Sequence, residues 1–206
     1  MQARKQPGRH ALNVRDRFHP LSISAHWLTV LLLVAVYGLI ELHGAFPKGS
    51  EARELTKLWH EMLGLVVFAL VFVRLALRAI YPAPAIQPLP PRWQERAARA
   101  MHITLYAFLI IMPLLGWLLL SAKGKSVPFF GFEPPTLIGP DKALGHSLED
   151  IHEAIGTVGY FLIGGHAAAA LWHHYLMRDD TLHHMWPLAQ PKQPEAPASR
   201  VTHKLT

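Results

Sequence analysis

Four runs of apolar residues, each about 20 long and almost free of charge, divide the chain: Ser22 to Leu42, Trp59 to Leu77, Met101 to Leu120 and Ile151 to Leu176. At about 1.5 Å rise per residue such runs match the hydrocarbon thickness of a bilayer. Backbone groups in lipid have no water to bond, so runs of this kind are helices. The fold predicted is all-α: an integral membrane four-helix bundle, multi-pass, with spans at about 22–42, 59–77, 101–120 and 151–176. The first run follows a basic segment but exceeds a secretory h-region, and no small-residue cleavage site follows it, so it reads as a permanent span.

The polar stretches set the rest of the organisation. Residues 1–18 form a basic arm, 19–186 the four-span unit, and 187–206 a Pro-rich polar tail expected to be disordered. The stretch Tyr81 to Trp93 is Pro-rich and reads as an extended spacer. The segment from Ser121 to Asp150, about 30 residues, is the longest connection and is expected to cap the outer face.

Charge adds orientation. Of the 20 lysines and arginines, fourteen fall on the side of the two termini and of the junction between spans two and three. The opposite side holds Lys48, Arg53, Lys57, Lys123, Lys125 and Lys142. The excess of positive residues places both termini in the cytoplasm. The net charge of +6 is then a topology signal, and no nucleic-acid partner is expected. The absence of cysteine excludes disulfides, iron–sulfur ligation and covalently attached c-type haem.

The candidate chemistry lies in histidines at unusual depth. Trp59 to Gly64 (WHEMLG) and Ile151 to Gly156 (IHEAIG) repeat a His-Glu-x-x-Gly pattern at the outer ends of spans two and four. It lacks the second histidine of the zinc-protease helix signature. His60 and His152 lie roughly 15 Å outward of mid-span, while His26 and His166 lie roughly 9 Å and 4–5 Å inward. His152 and His166 are 14 residues apart, close to four turns, so span four presents one imidazole to each level about 21 Å apart. Span two completes the outer pair with His60, and span one the inner pair with His26. Intramembrane polar residues are costly unless paired or functional. Two facing imidazoles per level suit the iron of a six-coordinate haem b, whereas a bare zinc ion takes three or four ligands. The reading is two haems b per chain.

Neighbouring residues agree. Gly64 and Gly156 follow the outer ligands by four residues and leave room for a macrocycle on the same face. Arg74, 14 residues after His60, returns to that face at the inner level as a partner for haem propionates, or as a headgroup anchor. Gly164 and Gly165 beside His166 serve helix packing, haem clearance, or both. His173 is a rival inner ligand; His102 is a weaker one, or polar lining, a haem contact or part of a quinone pocket. His174, His183 and His184 are placed in the interface or tail, and Glu61 and Glu153 read as interfacial.

The combination of Ser24-Ala25-His26-Trp27, LWHEMLG and IHEAIGTVGYFLIGGHAAAALWHHY resembles the bacterial cytochrome b561 family over roughly residues 17–187. The resemblance implies an inner-membrane cytochrome with two b haems ligated by His26, His60, His152 and His166, and Arg74 fits the family pattern. It also implies quinone-linked electron transfer. Some members oxidise superoxide at the outer face and pass its electron to ubiquinone, which would make the protein an oxidoreductase. A small anionic donor would be drawn by Lys123, Lys125 and Lys142, with Glu133, Asp141, Glu149 and Asp150 diluting that field. The expected partners are the lipid bilayer, ubiquinone or another quinone, superoxide or another donor, and a second copy of the chain as a homodimer. Two other functions stay open: the cytochrome b anchor of a hydrogenase or formate dehydrogenase, and a non-redox bundle or transporter.

Overall fold

The computed structural model describes residues 17–86, 88–126 and 129–187. The basic arm up to residue 16 and the tail from residue 188 lie outside the described residues. Four long helices carry the fold: α1 (Pro20–Ala45), α2 (Glu51–Ile80), α3 (Arg92–Ala122) and α4 (Lys142–Trp172). All four are long and apolar enough to cross a membrane. Helix α4 runs on into a π-helical turn, His173–Met177, and a short helix α5 (Thr181–Met185) follows.

Each long helix begins beyond its apolar run, because hydropathy marks contact with lipid whereas a helix begins at its cap. Ser50 accepts a hydrogen bond from the Arg53 amide, with Glu51 and Glu54 in the first turn of α2 complementing the helix dipole. Asp141 accepts from the Leu144 amide, so α4 starts nine residues before Ile151. Pro20 and Pro91 flank the starts of α1 and α3, where a missing amide proton costs nothing. The expected 30-residue outer connection therefore shrinks to residues 123–141. It is pinned to the end of α3 by the Trp117 indole donating to the Pro135 carbonyl and the Leu137 amide donating to Ser121.

The five-residue link after α1 makes α1 and α2 an antiparallel pair. Arg53 donates to the carbonyls of His43 and Phe46, satisfying groups freed at the end of α1. Helices α3 and α4 form the second pair, and α2 packs on α3. The four helices thus form a ring that is open between α1 and α4, where side chains rather than close backbones span the gap. A small core of Val67, Val71, Phe108 and Leu109 sits at the α2–α3 contact. Large apolar residues elsewhere, such as Leu31, Val34 and Phe161, point outward, as lipid-facing residues must.

Both described ends of the chain meet at one face. Arg17 donates to the Trp186 carbonyl, the Phe18 amide to the His184 carbonyl, and the Trp27 indole to the Met185 carbonyl at 2.8 Å. The reversal after α4 is made by the π-helical turn and by Arg178, whose φ of 54° is left-handed.

Gly159 brings α4 against its neighbours. A Cβ there would overlap the Tyr37 hydroxyl and the Phe108 ring. Gly159→Ala is expected to cost about 1–3 kcal/mol by overpacking, seen as a lowered melting temperature in detergent; an unchanged temperature would contradict this packing.

Candidate functional site

The bundle brings together both histidine pairs read from the sequence. At the outer level, His60 on α2 and His152 on α4 face each other with ring centres 6.3 Å apart and planes at 78°. At the inner level, His26 on α1 and His166 on α4 are 6.5 Å apart with planes at 72°. Three helices therefore place four imidazoles in two matching arrangements, and α4 contributes to both.

Hydrogen bonding orients the outer rings. A carbonyl only accepts, so the contact of 2.9 Å from His60 Nδ1 to the Val36 carbonyl puts the proton on Nδ1 and leaves the Nε2 lone pair available. The buried Nδ1 of His152 makes no well-formed hydrogen bond, with the Met112 carbonyl as its polar neighbour. Gly116 lies beneath that ring: a Cβ would stand 3.4 Å from His152 Cε1. At the inner level the guanidinium of Arg74 donates to His26 Nδ1 at 3.2 Å and lies over the Tyr106 ring at 5.5 Å. Arg74 thus stands at the inner site, beside a histidine, with donors left for an anionic group.

A cavity of about 630 Å³ lies around the outer pair and is lined from all four helices. It falls within the usual range of roughly 300–1,000 Å³ for sites that enclose a ligand. Gly64 and Gly156 both border it. A Cβ on Gly64 would meet nothing within 4 Å, and one on Gly156 only Met112 Cε at 3.6 Å. The outer connection, expected to cap the site, does not line this cavity among the described residues beyond Lys123. Lys123 itself is held by Glu149 at 2.6 Å, which removes it from any field that attracts an anion.

Both pairs suit an iron between them. A metal–imidazole bond of about 2 Å on each side, with a little over 1 Å from nitrogen to ring centre, sets two axial rings roughly 6 Å apart. Among the described residues no three histidines, cysteines or carboxylates converge into a cluster suited to a bare ion. Two ligands per level with open space beside them favour a macrocycle that supplies its own equatorial nitrogens.

The rival histidines take other places. His173 Nδ1 is 2.5 Å from Asp179 Oδ2, and it is His166 whose ring lies 6.5 Å from that of His26. Burial opposes ionisation of Asp179, but hydrogen bonds from His173 and Thr181 outweigh it and hold this carboxyl below its ordinary range. His174 packs on His183 at 5.2 Å, and His184 Nε2 lies 3.1 Å from Asp180. His102 stays close to the inner level, its ring centre 5.5 Å from that of His166.

The sequence reading missed Gly116, Tyr37 and Tyr160. Tyr37 is 11 residues after His26, three turns along one face, and Gly116 is 14 after His102, so spacing alone could have flagged both. Gly64→Leu directs a side chain into the open space where a Cβ meets nothing within 4 Å. It is expected to leave helicity intact while lowering the haem recovered per chain to roughly half, measured as pyridine haemochrome; full haem content would contradict the cavity assignment.

Comparison with known proteins places the chain in a family. A family model described as prokaryotic cytochrome b561 matches residues 17–188. The "Cytochrome b561 homolog 1" of Escherichia coli (strain K12) is 42% identical over 172 residues, covering 84% of this chain and 98% of that protein. The "Probable superoxide oxidase CybB" of Yersinia pestis is 32% identical over 174 residues, with 84% and 98% covered. The "Cytochrome b561 homolog 2" of Escherichia coli (strain K12) is 28% identical over 178 residues, with 84% and 93% covered. The chain therefore belongs to the prokaryotic cytochrome b561 family, and is a multi-pass bacterial membrane electron-transfer protein of a haem b-binding kind.

Proposed function

We propose that the protein carries two haems b and links an electron donor at the periplasmic face to the quinone pool. His60 and His152 would hold the outer haem and His26 and His166 the inner one. The observation that carries this reading is the pair of matching ring separations, 6.3 and 6.5 Å, on helices that span the membrane. Bound haem b supplies reversible one-electron exchange at each level.

The chain's own residues do the rest. The hydrogen bond from His60 to the Val36 carbonyl fixes which nitrogen faces the cavity. Gly64 and Gly156 keep the outer space open, and Arg74 would pair with propionates at the inner level. Burial among apolar helices excludes water and tunes the potentials. The unit from residue 19 to 186 would hold both sites.

The remaining assignments follow from charge and kinship. The excess of lysine and arginine on the terminal side supports cytoplasmic termini in the bacterial inner membrane. The 32% identity to a protein named as a probable superoxide oxidase supports superoxide as the outer donor, and the family resemblance supports a quinone such as ubiquinone as the acceptor. With Lys123 tied to Glu149, attraction of that anion would rest on Lys125, Lys142 and Lys57.

The test is the dithionite-reduced minus oxidised spectrum of purified protein, with haem quantified per chain. Wild-type protein is expected to show two low-spin b haems. His60→Ala and His152→Ala should each lose the outer haem and keep much of the inner one, while His26→Ala and His166→Ala do the reverse. Unchanged haem content in the outer variants would overturn the pairing.

A further inference from the structure

The first turns of α3 carry a basic stripe that neither histidine level uses. Arg92, Arg96 and Arg99 recur every three or four residues, so all three project from one face of the helix over about 10 Å of its length. All three are exposed. Among the described residues none of them enters an ion pair, although Glu95 lies three residues from Arg92 and four from Arg99.

The direction of the stripe identifies what it meets. Arg92, Ile103 and Leu114 are 11 residues apart in turn, about three helical turns each, so they stand in one line along α3. Ile103 is 62% exposed and Leu114 is exposed too, on a helix long and apolar enough to cross a membrane. That line therefore faces lipid, and Arg99, one turn before Ile103, carries it out of the hydrocarbon. Trp93, beside the stripe, is 67% exposed, and tryptophan settles at the level of lipid headgroups.

A topology signal needs positive charge on this side of the membrane but no particular helix face. Here three guanidiniums share the lipid-facing side of one helix. Guanidinium binds phosphate oxygens in bidentate fashion, and an anionic phosphodiester headgroup offers a phosphate whose charge no ammonium group offsets. A second copy of the chain packed on this face would set arginine against arginine. A soluble acidic protein would approach over the end of the bundle, not along its lipid-facing side.

We propose that Arg92, Arg96 and Arg99 form a binding site for the headgroup of an anionic phospholipid, whose acyl chains lie along Ile103 and Leu114. Juxtamembrane clusters of arginine draw anionic lipid in this way, and a stripe on one helix face holds the lipid at a fixed place beside the bundle. The site needs only a membrane-spanning α3 and is independent of what the histidine pairs hold.

The experiment uses the full-length purified protein in two measurements. In native mass spectrometry from detergent, palmitoyl-oleoyl phosphatidylglycerol is expected to form an adduct at a concentration at least tenfold lower than phosphatidylcholine with the same acyl chains. The triple variant Arg92→Gln, Arg96→Gln, Arg99→Gln should bring the two lipids within twofold, whereas Lys48→Gln on the opposite side leaves the preference as it was. In vesicles, a photoactivatable phosphatidylglycerol is expected to label the wild-type peptide holding residues 92–103. Equal binding of the two lipids by wild type, or an undiminished preference in the triple variant, would overturn the site. Labelling spread evenly over the four long helices, or confined to another part of the chain, would overturn it even if the variant failed to fold. Displacement of the adduct by inorganic phosphate or a polyglutamate peptide at constant ionic strength would assign the stripe to a soluble anion and overturn the lipid site. A dimer formed in place of the adduct and abolished in the triple variant would overturn it in favour of a second copy.

Discussion

Imidazoles inside a membrane are the constraint on which this structure depends. A polar group taken out of water without a partner costs about 2–7 kcal/mol, and four such rings would be a large burden for a small bundle. The cost is offset here by placing the rings opposite one another, so that each pair can share one metal. That requirement fixes the register of α4: His152 must face α2 and His166 must face α1, 14 residues and close to four turns apart. Everything between the two levels is then held by one helix.

The glycines and aromatic residues around the pairs answer to the same demand. Close packing of every helix face would leave no cavity beside the histidine pairs, and small residues stand where a side chain would enter that space. Gly64 and Gly156 leave open space beside the outer histidines and Gly116 admits the His152 ring, whereas Gly159 serves contact between helices. The ring of helices consequently closes on three sides through packed helix faces and on the fourth through Tyr37, Tyr160 and Glu41.

Much of this was legible in the sequence because lipid and helical periodicity are strong filters. The four apolar runs could only be helices, and the spacing from His152 to His166 and from His60 to Arg74 could be read directly as height and face. Family kinship points the same way. What could not be read was set by non-local contact or by polar caps. Hydropathy stopped at Trp59 and Ile151, although Ser50 and Asp141 start those helices one turn or more earlier. The pairing of His173 with Asp179 depends on a π-helical turn, for which the sequence carries no periodic signal. The opening between α1 and α4 depends on which helices are neighbours, a property of the whole bundle.

The central claim is that two bis-histidine sites exist and that both hold their rings nearly at right angles. Low-temperature electron paramagnetic resonance of the oxidised protein tests it most directly, since axial ligation and ring orientation shape the ferric signal. Two low-spin ferric species with the strongly anisotropic signals of crossed imidazole planes are expected, one of them lost in each ligand variant. A dominant high-spin signal, or a single low-spin species accounting for all the iron, would contradict the paired arrangement.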